Sequence, residues 1–182
     1  NDYGYRTKRV MEVGYKLENG VFVDHRGIFA PLALDLLGKN WLQSNVSVNT
    51  TRGTFRGLHF QLGEFAQAKL VKVIHGMIID FIVDIRPESP NYLKVQQFVV
   101  SPGEALMVPR GYAHGFLTTE DNTVVQYLVD NVYSPESEGS IYWNEFPEIR
   151  ETIKEFFDGK LSTDDLIISY KDNYTKNFTI GN

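Results

Sequence analysis

The stretch Phe55-Arg56-Gly57-Leu58-His59-Phe60-Gln61 places one imidazole and one guanidinium inside a run that is otherwise apolar and strand-like. Histidine titrates near neutrality and arginine stays charged, so the pair offers a proton-transfer group beside an anion clamp. A lone histidine in a strand is more often a satisfied core or edge residue than a catalyst. A second one, in Pro109-Arg110-Gly111-Tyr112-Ala113-His114-Gly115-Phe116, again sits where a turn meets an apolar run. Two such insertions in one small chain argue for a site.

The elements that must hold these groups are strands. Residues 20–133 read as short apolar or alternating runs, among them Leu70-Val71-Lys72-Val73-Ile74, residues 77–85, 95–100, Leu106-Met107-Val108 and residues 124–129. Their lengths, β-branched and aromatic content and regular turn signals predict an antiparallel sandwich or barrel rather than alternating βα units. Gly76, Pro87-Glu88-Ser89-Pro90, Ser101-Pro102-Gly103-Glu104 and Glu120-Asp121-Asn122 supply the turns. A short helix is expected over residues 31–37, opened by Pro31 and stopped by Gly38. After Trp143, the spacing of Ile149, Ile153, Phe156 and Phe157, with Gly159 as the stop, predicts a C-terminal helix whose apolar stripe packs on the sheet.

A barrel of about eight strands has an interior able to hold one small ligand. Inward-facing polar residues on such strands therefore become candidates: His59, Lys69, His114 and Tyr127. Position alone favours a solvated strand-edge lysine for Lys69 and plain core packing for Tyr127, so only their convergence would make a site. Pro109-x-Gly111-x-x-His114 resembles the second motif of the metal-binding cupins. Those proteins add a His-x-His pair and a Glu from a first motif, where this chain has His59 followed by Phe60 and Gln61. Two histidines without a nearby carboxylate suit a divalent ion poorly, and no catalytic metal is expected. No Gly-x-Ser-x-Gly elbow, Walker motif or dinucleotide fingerprint occurs.

Composition narrows the classes further. A chain of 182 residues supports one core that buries roughly 70% of its unfolded surface, and a single domain is expected over residues 1–182. Charged residues at 23% and hydrophobic ones at 42% are ordinary for a folded protein. The net charge of -5 and pI near 5.4 argue against a nucleic-acid face. The absence of cysteine excludes disulfides and thiolate chemistry. No apolar run approaches the roughly 20 residues of a membrane span, and a cytoplasmic location is the expectation.

Six segments, in order, resemble the dTDP-4-dehydrorhamnose 3,5-epimerases and related nucleotide-deoxysugar epimerases. They are Asp24-His25-Arg26-Gly27-Ile28-Phe29, Arg56-Gly57-Leu58-His59-Phe60-Gln61, Ala66-Gln67-Ala68-Lys69-Leu70-Val71, Val83-Asp84-Ile85-Arg86-Pro87-Glu88-Ser89-Pro90, the His114 segment above, and Tyr133-Ser134-Pro135-Glu136-Ser137-Glu138-Gly139-Ser140-Ile141. Ile167-Ile168-Ser169-Tyr170-Lys171-Asp172 adds a fainter match. The resemblance implies a mainly β, cupin-type antiparallel jelly roll with short peripheral helices, one of them C-terminal. It further implies a core over roughly residues 40–145, a helical cap over 146–182, and a homodimer that exchanges N-terminal strands within residues 1–30.

The implied substrate is a dTDP-4-keto-6-deoxysugar or related nucleotide sugar, epimerised at C3 and/or C5 without a cofactor, so that a mono-epimerase is a close variant. Protons α to the C4 ketone are acidified by enolate formation, so a base, an oxyanion stabiliser and an acid suffice. By the resemblance His59 is the base, Asp172 its carboxylate partner, Lys69 the enolate stabiliser and Tyr127 the acid on the opposite face. Asp165 competes with Asp172 on spacing. Arg26 and Arg56 match positions that contact the diphosphate, Gln43 and Asn45 those that recognise the base, while Tyr133 and His114 match positions beside the sugar. Pro31 and Ser44 depart from the family pattern, as does Glu148-Ile149-Arg150. A sugar-nucleotide 3,4-ketoisomerase, which tends to carry a second histidine at the position of Gln61, and a silent sugar-nucleotide-binding cupin are the competing readings.

Overall fold

The computed structural model describes residues 6–8, 15–18, 22–29, 38–159 and 165–173. Its strands are β1 (Arg6–Lys8), β2 (Tyr15–Glu18), β3 (Phe22–Asp24), β4 (Gly27–Phe29), β5 (Gln43–Asn49), β6 (Thr54–Gln61), β7 (Lys69–His75), β8 (Ile78–Asp84), β9 (Val95–Val100), β10 (Glu104–Val108), β11 (Tyr112–Thr118), β12 (Thr123–Val129), β13 (Glu138–Ser140) and β14 (Ile167–Ile168). Two helices follow β13: α1 (Pro147–Phe156) and α2 (Tyr170–Asn173). One sheet runs β1-β2-β10-β7-β12-β5, the other β13-β6-β11-β8-β9 with β14 added parallel to β6. The remaining described pairings are antiparallel, so the jelly roll expected from the turn-punctuated runs is the fold. The helix expected over residues 31–37 lies outside the described residues.

Period-two alternation explains how the layers meet. Val71 and Val73 of β7, Leu106 and Val108 of β10 and Val125 of β12 pack against Ile78 and Ile82 of β8, Phe98 and Val100 of β9 and Tyr112 and Phe116 of β11. The other face of the second sheet, with Phe55, Leu58, Phe60, Phe81, Val83, Ala113 and Leu117, is covered by Trp143, Phe146, Ile149 and Ile153. That second layer explains why residues 77–85 read as an apolar run broken only by Asp80 and Asp84: β8 is covered on both faces. The stripe predicted for α1 therefore packs as expected, and each of its fully buried isoleucines, Ile149 and Ile153, contributes about 1.5–3 kcal/mol. The helix starts on Pro147 and ends where Gly159, at φ +72°, donates its N–H to the Lys154 carbonyl at 2.8 Å.

One irregularity shapes the site. Between the pairs His114–His59 and Phe116–Arg56 the β6 strand carries an extra residue, a β-bulge. Gly57 occupies it at φ +130°, and a Cβ there would lie 2.5 Å from the Gly115 Cα. No other residue type allows the two backbones to approach this closely.

Candidate active site

His59 sits on β6, directly opposite His114 of β11. Its Nε2 is 2.6 Å from Oδ1 of Asp172 in α2. The other carboxylate oxygen accepts the bulge N–H of Gly57 at 3.2 Å. The bulge thus serves Asp172 twice, by turning His59 toward it and by leaving a backbone donor for it. Burial works against the charged Asp172 carboxylate, but the bonds from His59 and Gly57 outweigh it and hold the group below the usual carboxylate range. Because the carboxylate only accepts, Nε2 carries the hydrogen and Nδ1 is left as the basic nitrogen. Asp165 is exposed, so of the two acids competing on spacing it is Asp172 that reaches His59.

A cavity of about 180 Å³ opens here, lined by His59, Lys69, Tyr127, Gln43, Asn45, Tyr133 and Glu138 among others. Lys69 is not on a strand edge, since β7 lies between β10 and β12. Its ammonium lies 5.7 Å from the centroid of the Tyr127 ring, and burial lowers its pKa to about 8 against the pull of Asp80 and Glu138. Burial also raises Tyr127, with Arg56 opposing and Glu138 adding to the effect. The phenol is therefore protonated at neutral pH. Gln43 donates its amide to Oδ1 of Asn45 at 2.7 Å, giving a neutral polar wall on β5.

Three candidates are placed elsewhere. Arg56 is exposed and bonded to Oδ1 of Asn49 at 2.8 Å, outside the cavity lining. Arg26, at the tip of the β3–β4 hairpin, is exposed and forks onto Asp24. His114 does not line the cavity either. It is buried behind it, with Nε2 at 2.7 Å from Oδ2 of Asp80. Among the described residues no group of three His, Asp or Glu side chains could hold a metal ion.

Residues 10–179 match the model of the dTDP-4-dehydrorhamnose 3,5-epimerase family. The chain belongs to that epimerase family. Over 138 residues, 71% of this chain and 74% of the relative, it is 41% identical to the dTDP-4-dehydrorhamnose 3,5-epimerase of Escherichia coli K12. The fold is similar to that of the Bacillus anthracis enzyme of the same name, solved with TDP and PPi bound, at TM-score 0.78 and 34% identity over 93% of this chain and 98% of that one. It is also similar to a dTDP-6-deoxy-D-glucose-3,5-epimerase from Legionella pneumophila in complex with dTDP-4-keto-L-rhamnose, at TM-score 0.76 and 28% identity over 92% and 89% of the two chains.

Sequence reasoning missed three groups of this epimerase-family site. Glu138 lines the cavity and accepts from Tyr133 Oη at 3.1 Å and Lys171 Nζ at 3.0 Å. Burial works against its charge, yet those two donors keep it below the usual range. Gln61 spans the strand end, donating to the carbonyls of Phe65 and Val132 and accepting from the Ser134 N–H. Asp80 is wholly buried behind the cavity. Its signal was legible: one carboxylate within Ile78-Ile79-Asp80-Phe81-Ile82.

Proposed function

We propose that this chain epimerises a nucleoside-diphosphate-linked 4-keto-6-deoxyhexose at C3 and C5, without a metal or other cofactor. The observation that carries the reading is the His59–Asp172 pair opening onto the same cavity as Lys69 and Tyr127. Nδ1 of His59 takes the proton on the carbon next to the C4 ketone. The C–H electron pair moves into the ring to form an enolate, and Asp172 stabilises the imidazolium. The Lys69 ammonium offsets the charge on the enolate oxygen. Tyr127, on the facing sheet, delivers its phenolic proton to the opposite face of the carbon, inverting it. The tyrosinate then regains a proton from solvent as His59 loses one.

The nucleotide part takes the neutral wall of Gln43 and Asn45 and the basic Arg56 and Arg26, with Tyr133 beside the sugar, while His114 acts from outside the cavity lining through its bond to Asp80. The thymidine nucleotides bound by the Bacillus anthracis and Legionella relatives support dTDP as the nucleotide. A homodimer accompanies this reading. The outer face of β5, at the edge of its sheet among the described residues, exposes Val46 and Val48, each 61% accessible, and a second copy would cover them. Arg26 lies outside its own chain's cavity, which fits an exchange of the first 30 residues that carries it to the partner's site. The single domain over residues 1–182 and the cytoplasmic location belong to the same proposal.

Proton NMR of dTDP-4-keto-6-deoxyglucose incubated with the protein in D2O tests it. Loss of the C3 and C5 signals with formation of the inverted sugar is expected. Retention of both signals would overturn the reading, and migration of the ketone to C3 would replace it with the ketoisomerase.

A further inference from the structure

Asp80, on the inner face of β8, is 0% exposed. Its Oδ2 accepts from Nε2 of His114 at 2.7 Å, while its Oδ1 has no hydrogen-bond partner among the described residues. Leaving a buried carboxylate oxygen unpaired is costly unless a nearby positive charge compensates it. Lys69 is the lysine whose charge acts on Asp80. It projects from β7 of the facing sheet, lies over the Tyr127 ring, and is in ion-pair contact with no carboxylate among the described residues.

We propose that Asp80, held by His114, is a positioning residue for Lys69, the counter-charge that keeps the lysine an ammonium ion inside the barrel. An ionised carboxylate cannot donate, so the hydrogen of the His114–Asp80 bond belongs to Nε2. An anionic Asp80 and a cationic Lys69 then cancel each other's charge, the arrangement a low-dielectric interior tolerates best. The perturbations agree in direction: burial lowers Lys69, with Asp80 the foremost opposing influence, and burial raises Asp80, with His114 and Lys69 opposing. The other titratable groups lining the cavity with Lys69 are His59 from β6, Tyr127 from β12, Tyr133 before β13 and Glu138 from β13. Glu138 is already paired with Lys171 and Tyr133, whereas Asp80 has an oxygen to spare.

The effect on turnover rests on the proposed epimerase reading; the effect on Lys69 titration does not. In Asp80→Asn, nearly the same shape without the charge, the Lys69 titration followed by 13Cε NMR should move down by at least about one pH unit. The alkaline limb of kcat/KM should move down with it, with KM little changed below that limb. Coupling between sites is reciprocal, so in Lys69→Met the Asp80 carboxyl followed by 13Cγ NMR should titrate at higher pH than in the unaltered protein. This second variant decides the matter if Asp80→Asn does not fold. An unmoved Lys69 midpoint in Asp80→Asn, or an unmoved Asp80 midpoint in Lys69→Met, would overturn the proposal. Shifted titrations in a protein inactive on the nucleotide sugar would sustain it and remove the epimerase reading instead.

Discussion

Replacing Asp172 by Asn should separate the base from its support with little change of volume. When His59 takes a proton, the new imidazolium faces the carboxylate across the 2.6 Å Nε2–Oδ1 contact. Taking charge centres at about 4 Å and an effective dielectric near 20, the attraction is about 4 kcal/mol. The His59 side chain is 33% exposed, and solvent screening reduces that to about 2 kcal/mol, or about thirtyfold in rate. A second loss comes from the hydrogen bonds. Asp172 accepts from both His59 Nε2 and the Gly57 N–H, while an amide presents only one accepting atom. Either the Gly57 N–H loses its partner or the imidazole is turned to the wrong tautomer, a fault that costs about 10⁴ in triad enzymes. We expect kcat for Asp172→Asn to fall at least about thirtyfold with KM within about twofold, measured as the rate of C3 and C5 deuterium incorporation. A fall of less than about threefold in a folded variant would refute the assignment of His59 and Asp172 as a working pair.

Other consequences can be read from the same geometry. An enolate is stabilised only by the charged form of Lys69, so kcat/KM should be insensitive to this group below its pKa of about 8 and drop about tenfold per pH unit above it. Lys69→Arg should remove that limb, and a limb unchanged in that variant would dissociate it from Lys69. Tyr127→Phe should lower formation of the inverted sugar by about 10² or more while His59 continues to exchange protons on its own face; parallel loss of exchange and inversion would show that the two faces are not served separately. Gly139→Ala would bring a Cβ to 2.3 Å from Cζ of Phe60, beside cavity-lining Glu138. Overpacking there should destabilise the protein by about 1–3 kcal/mol, read as a lowered urea midpoint, and an unchanged midpoint would show that Phe60 has room to retreat.

The periodic elements were legible because two-residue alternation and turn chemistry are local properties. The β9 strand occupies Val95–Val100 as expected, and α1 ends near Gly159. Local pattern pointed to the cavity at His59, which breaks an apolar strand, while Asp172, Lys69, Tyr127, Gln43 and Asn45 came from the family resemblance. Lys69 was misread on position alone because a lysine at a strand's first residue looks solvated until β10 and β12 close around it. The separation of His114 from the cavity depends on Asp80, 34 residues away, and no local rule links the two. Glu138 was hidden in a turn-rich segment, where an acidic residue ordinarily faces solvent. Its partners, Tyr133 and Lys171, lie five residues before it and 33 residues after it.

The distribution of the site along the chain has a physical consequence. The base is placed by a bulge in an interior strand, but its carboxylate arrives on a four-residue helix that is too short to be stable alone. Three contacts anchor it: Gly57 and His59 on Asp172 itself, and Glu138 on the adjacent Lys171. The parallel pairing of β14 with β6 just before it fixes the approach of the chain. Two of the three anchors, Gly57 and His59, lie on β6, and Glu138 lies on β13, its neighbour in the sheet. The base and its partner therefore move as one body with that sheet, while Lys69 and Tyr127 belong to the other. The separation of His59 from Tyr127, on which the proposed two-face mechanism depends, is set by sheet-to-sheet packing at Val71, Ile82, Leu106, Phe116 and Val125. A close-packed interior resists compression, so the fold can hold His59 and Tyr127 at a fixed spacing across the cavity.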